Sequence, residues 1–110
     1  MVRVGQGVLG RVRFRDGGYP QYDRTCLVVE VTPQRVGLLN VSSTAGKEAK
    51  LLFSTNRRIS RFNPPFLKDS FVKLDSLVYI DHAAASGMRV LCSGQTLDAV
   101  ELADIIANIR

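Results

Sequence analysis

Cys26-Leu27-Val28-Val29-Glu30-Val31 constrains this chain more than any other stretch. It is a short, nearly unbroken apolar run that reads as a strand buried on both faces for most of its length. Thr32-Pro33-Gln34 turns the chain, and Val36 to Val41 makes the next strand, ending in the small polar residues Ser42-Ser43-Thr44-Ala45-Gly46. Upstream, Val8 to Arg15 alternates. Val8, Gly10, Val12 and Phe14 fall on one face and Leu9, Arg11, Arg13 and Arg15 on the other, the period of a half-buried antiparallel strand. Asp16-Gly17-Gly18-Tyr19-Pro20-Gln21-Tyr22-Asp23 then forms a turn-rich loop of the kind that carries function on a small barrel.

The second half continues in short pieces. Lys50 to Phe53 reads as a brief strand, Ser54 to Phe62 as basic and irregular, and Asn63-Pro64-Pro65 stops any helix. Ser70-Phe71-Val72-Lys73, Leu77-Val78-Tyr79-Ile80 and Arg89 to Cys92 read as three more strands. Thr96 is the expected N-cap of a helix from Leu97 to Ile109, with Asp98 and Glu101 in the first turn where the helix dipole favours acids. Its polar positions Asp98, Glu101, Asp104 and Asn108 share one narrow stripe, so the helix is expected to be buried over most of its circumference. Many short strands and one terminal helix predict a mainly β, α+β fold: a small, strongly bent antiparallel β-barrel with a C-terminal α-helix. The 110 residues, 45% of them apolar, suffice for one domain with a real core. No stretch approaches the ~18–20 apolar residues of a membrane span, and Met1 to Gly10 lacks a signal-peptide h-region, so the expectation is a soluble, cytoplasmic protein.

Charge is unevenly distributed. Residues 1–61 carry eleven basic and four acidic side chains, a balance of +7, whereas residues 62–110 carry four basic and six acidic ones, a balance of −2. Such asymmetry, with Arg outnumbering Lys, suits a polyanionic partner, because a guanidinium grips phosphate with two parallel hydrogen bonds; the alternative is that these residues solvate the outer faces of strands. Cys26 and Cys92 lie far apart, with no CxxC and a lone His82, too few ligands for the usual zinc site. Both cysteines sit among apolar neighbours and read as small buried hydrophobes, with a disulfide the minor alternative. Met1 to Gly7 suggests no particular role.

Gly10-Arg11-Val12-Arg13-Phe14, a Gly-rich loop closing at Arg24, and Leu27-Val28-Val29 together resemble the opening of the MazF/PemK family of toxin endoribonucleases. Leu38-Leu39-Asn40-Val41-Ser42-Ser43 occupies the place where that family's next strand ends in a Thr-Ser or Ser-Ser pair. Leu67-Lys68-Asp69-Ser70-Phe71-Val72-Lys73-Leu74-Asp75-Ser76-Leu77 is similar to a later segment, and Gly94-Gln95-Thr96-Leu97 to the lead into the C-terminal helix. The resemblance spans Val8 to Ile109. Each motif alone is common; four in the same order and spacing are more specific. The chain departs from the family at Arg11 (Asp in the family), Thr25 (Pro) and Ser42 (Thr), and the last of these touches the chemistry.

The resemblance implies an SH3-like barrel of the CcdB/Kid type and a homodimer. It implies metal-independent, cofactor-free cleavage of single-stranded RNA, in which the 2′-hydroxyl attacks the neighbouring phosphorus and leaves a 2′,3′-cyclic phosphate and a 5′-hydroxyl. Arg24 matches the functional arginine, placed to stabilise the phosphorane, and Ser42 the strand-end hydroxyl on the scissile phosphate. Serine keeps the donor and acceptor but lacks the methyl that fixes χ1. Ser43 serves only if the register is one off, since it lies on the opposite face. Tyr19 and Tyr22 are candidates for base stacking, or for covers over the barrel mouth. Arg15, Lys47, Lys50, Arg57, Arg58 and Arg61 are candidates for phosphate contacts, the Arg57-Arg58 group being densest. His82 has the chemistry of an acid or base but matches no catalytic position, and Asp69 and Ser70 read as a turn and a strand start near a dimer contact. The implied partners are RNA and an acidic antitoxin. Two other functions stay open: a same-fold toxin that binds a protein such as DNA gyrase, and a degenerate RNA-binding member.

Overall fold

The computed structural model describes residues 1–59, 65, 66 and 68–110. Seven strands form one antiparallel sheet: β1 (Gly7–Gly10), β2 (Arg24–Val31), β3 (Val36–Ser43), β4 (Asn56–Arg58), β5 (Ser70–Lys73), β6 (Val78–Ile80) and β7 (Arg89–Val90). Their order across the sheet is β4-β5-β3-β2-β1-β7, with β6 also paired to β3. Among the described residues two α-helices, α1 (His82–Ser86) and α2 (Ala99–Ala107), accompany the sheet. It is a compact α+β architecture dominated by the sheet. The two ends of the sheet, β4 and β7, do not pair, so the ladder among the described residues is open where a closed barrel was expected.

The β2–β3 hairpin is the centre, as its apolar runs demand. Leu27, Val29, Leu39 and Val41 face one side, where Ile59, Phe66, Val72, Leu74, Leu97 and Ile105 of α2 cover them. Cys26, Val28, Val36 and Leu38 face the other, against Val2, Val8 and Ala85 of α1. Each strand thus feeds two cores through its period-2 alternation. A bulge between Val28 and Glu30 shifts the register. The hairpin turn is closed by Thr32, whose Oγ1 accepts from the backbone of Arg35 at 3.1 Å. His82 Nε2 donates to the Thr32 carbonyl at 2.6 Å, fastening α1 to this turn.

Several sequence expectations are corrected here. The alternation from Val8 to Arg15 outruns its strand, because β1 stops at Gly10, where its ladder with β2 ends at Arg24. Beyond it, Phe14 and Gly18 close a turn in which the Asp16 carboxylate accepts from the Gly18 amide at 2.9 Å. Lys50–Phe53 is no strand: Glu48–Leu52 forms a 3-10 helix. Ser54 to Phe62, expected to be irregular, contains β4; Arg61 lies outside the described residues. The N-cap of α2 is Asp98, whose side chain accepts from the Glu101 amide, and not Thr96. Of the α2 residues only Ile105 is fully buried, while Val100 is 79% and Ile106 38% exposed, so burial is far from encircling. Cys92 is half-buried, in contrast to Cys26, and both thiols are free.

The N-terminal segment has a structural role that its sequence did not announce. Val2 is buried in the second core, and the buried Gln6 donates from Nε2 to the Gly94 carbonyl at 3.0 Å. No helix among the described residues is long and apolar enough to cross a membrane.

Candidate anion-binding site

At one end of the central hairpin, β2 begins and β3 finishes. One step past the Thr25–Val41 pair, Arg24 and Ser42 come to the same face of the ladder. Val72 of β5 pairs with Val41, so Lys73 falls beside Asn40 on that face too. Arg24, Asn40, Ser42 and Lys73, with Phe14 from the preceding loop, line a cavity of about 50 Å³.

The electrostatics of this pocket are one-sided. Lys73 is half-buried, and its proton affinity is lowered from the ordinary lysine value first by that burial, then by the positive charges of Lys50, Arg24 and Lys47; Asp75 opposes them only as the smallest influence. Lys47, which caps the 3-10 helix, and Lys50 within it reach Lys73 with their charges. Among the described residues, no hydrogen bond or ion pair engages the side chain of Arg24, Ser42, Lys47, Lys50 or Lys73. Two cations and a free hydroxyl line this small recess, Lys47 and Lys50 add their charge from nearby, and such an arrangement can receive an anion. Lys73 was missed by sequence reasoning, because an isolated lysine at the end of a strand looks like a solvated residue until β5 is known to lie next to β3.

The other sequence candidates separate into two groups. Ser43 pairs with Ser70 across the β3–β5 ladder and faces the opposite side of the sheet, where its Oγ accepts from the Ala45 amide at 3.3 Å. There it lines a larger cavity of about 340 Å³, bordered also by Ser42 and Lys68, whose walls, including Val41, Phe66 and Leu91, are mostly apolar and which Arg24 and Lys73 do not reach. Tyr19 and Tyr22 are 58% and 69% exposed on the loop before β2. Arg15 is diverted: its guanidinium donates to the carbonyls of Asp75 (3.2 Å) and Arg110 (2.8 Å).

Arg57 is paired with Asp104 of α2, and Arg58 holds Asp69 through two hydrogen bonds, at 3.0 and 2.5 Å. The Arg58 contact keeps the Asp69 carboxyl below its usual range. The densest basic group of the sequence is therefore largely neutralised by partners. His82 is committed to the Thr32 carbonyl, and Arg35 is tied to Glu30 at 3.1 Å and stacked 3.6 Å over the Tyr79 ring. Burial pushes the Cys26 thiol up to about 12, which leaves it inert as a nucleophile. Among the described residues, no three His, Cys, Asp or Glu side chains gather as a metal-binding group.

No protein family, curated protein or solved structure matches this chain. The chemistry of the site therefore stands on its own side chains. An unpaired guanidinium, an ammonium of lowered proton affinity and a hydroxyl at one recess can bind a phosphodiester, polarise it and supply a proton.

Proposed function

We propose that the protein is a toxin-type endoribonuclease similar to the MazF/PemK family, cutting single-stranded RNA by 2′-hydroxyl attack without a metal ion. The observation that carries this reading is the meeting of Arg24 and Ser42, the two residues the resemblance singles out, at one cavity with the unpaired Lys73. In such a site Arg24 faces the equatorial phosphoryl oxygens and stabilises the charge that builds on the phosphorane, while Ser42 donates to the same phosphate and fixes its orientation. Lys47 and Lys50 extend the positive surface along the strand of phosphates, and Tyr19 and Tyr22 offer rings for the adjoining bases. On this reading the sheet is an opened version of the SH3-like barrel of that family, the chain works as a homodimer, and an acidic antitoxin segment covers the cation cluster.

The test is incubation of the purified protein with a long single-stranded RNA in EDTA, beside Arg24→Ala. Discrete fragments ending in a cyclic phosphate and a 5′-hydroxyl, lost in Arg24→Ala with the circular dichroism spectrum unchanged, are expected. Intact RNA at high protein concentration on several unrelated substrates overturns the catalytic reading, and salt-sensitive binding without cleavage points to an RNA-binding protein instead.

A further inference from the structure

Cleavage of this kind leaves a 5′-oxygen that departs poorly unless it is protonated. Guanidinium groups keep their proton in proteins, and a serine hydroxyl yields one only to a base. His82 is at the turn end of the hairpin, with Nε2 bonded to Thr32, away from the end that carries Arg24 and Ser42, and Cys26 is buried with its thiol directed toward Asn40 Oδ1 at 3.7 Å. Among the described residues lining the cavity, that leaves one side chain with a transferable proton, Lys73.

Resting on the ribonuclease reading above, we propose that Lys73 is the general acid of the reaction, donating a proton from Nζ to the departing 5′-oxygen. The geometry that carries this is its place beside Asn40 in the register, lining the same recess as Arg24 and Ser42, with no carboxylate paired to it among the described residues. The groups that face it are Arg24 from β2, Lys47 and Lys50 from the 3-10 helix, and Asp75 beyond its own strand. Three cations against the single carboxylate of Asp75, whose influence is the smallest, favour release of the proton, and burial acts in the same direction.

In the step itself the 2′-oxygen forms its bond to phosphorus and the P–O5′ bond breaks. The 5′-oxygen takes the proton of Lys73, and the proton lost by the 2′-hydroxyl passes through solvent and recharges the neutral amine. Nothing is oxidised or reduced. A lysine that only binds phosphate and one that protonates the leaving group differ in one respect: only the second becomes dispensable when the leaving group needs no proton.

The experiment compares single-turnover cleavage of an ordinary RNA with that of the same RNA bearing sulfur in place of the bridging 5′-oxygen at the scissile position. Wild type, Lys73→Met and Lys73→Arg are used, with circular dichroism reporting the fold. Lys73→Met is expected to slow the oxygen substrate by about 10²- to 10⁴-fold, the usual range for loss of a general acid, and the sulfur substrate far less. The wild-type rate on the oxygen substrate is expected to fall as pH rises through the alkaline range, a limb that Lys73→Arg removes or displaces upward. Equal losses on both substrates, or no loss on either, overturn the assignment while the ribonuclease reading stands. A wild-type protein that cleaves neither RNA overturns both.

Discussion

Lys73 carries its charge where water is partly withdrawn and three other cations converge, so its effect on stability has a definite sign. Its proton affinity is lower in the folded protein than at the ordinary value of 10.5, so between those two values the unfolded chain binds more protons and stability rises with pH. Below that window the folded state bears the full penalty. Lys73→Met is therefore expected to melt at a higher temperature than wild type at pH 7, with the advantage shrinking as the pH climbs toward 10.5; thermal melts across that range check it. If Ser42 donates to a charged phosphate as proposed, removing its hydroxyl is worth about 1.5–3 kcal/mol, so Ser42→Ala is expected to reduce cleavage by roughly 10- to 100-fold. Ser42→Thr, which restores a stiff χ1, is expected to raise it; steady-state rates decide both. The strand ends that carry Arg24 and Ser42 were legible in the sequence from the apolar runs beside them. Lys73 was not, because nothing local to Phe71-Val72-Lys73-Leu74 tells which strand β5 will join.

At the scale of elements, the sequence announced strands better than it announced what caps or neutralises them. β2, β3 and β5 follow from apolar runs bounded by turn residues, and their limits were nearly right. The strand expected at Lys50–Phe53 became a 3-10 helix, and it leaves Leu52 and Phe53 exposed. In β4, Arg57 and Arg58 looked like the best phosphate ligands because sequence shows density of charge but not the carboxylates that tertiary structure sets against it. Replacing Asp69 and Asp104 by Asn frees both guanidinium groups and is expected to steepen the salt dependence of RNA binding, measured by fluorescence anisotropy. The start of α2 was misplaced by two residues because Thr96 and Asp98 are both good caps, and only the backbone reveals which one accepts from the helix. Asp98→Ala is expected to destabilise the protein by about 1 kcal/mol. For a domain near this size that lowers the melting temperature by roughly 4–8 °C.

The whole molecule is organised by a sheet that buries apolar side chains on both faces, one core under α2 and the other under α1. Ile105 anchors the first, and Ile105→Ala is expected to cost about 2–5 kcal/mol in denaturant unfolding through the cavity it leaves. Gly7 is closely packed against the same core: a Cβ there would meet the Phe66 ring at 2.8 Å, so Gly7→Ala forces that ring to move. The mainly β character and the terminal helix were legible from periodicity, whereas the open sheet was not, since closure depends on pairing between residues far apart in sequence. This long-range pairing is also what assembles the cation cluster, drawing Arg24, Lys47, Lys50 and Lys73 from three separate stretches of chain. The most direct test of that cluster as the phosphate site is the salt dependence of binding to a 2′-O-methyl single-stranded RNA, which lacks the attacking hydroxyl. A slope reduced by about 0.7 in Arg24→Ala and in Lys73→Met, the loss of one phosphate contact each, but unchanged in Arg57→Ala and Arg58→Ala, is the result expected. The reverse pattern, with the slope carried by Arg57 and Arg58, would contradict it.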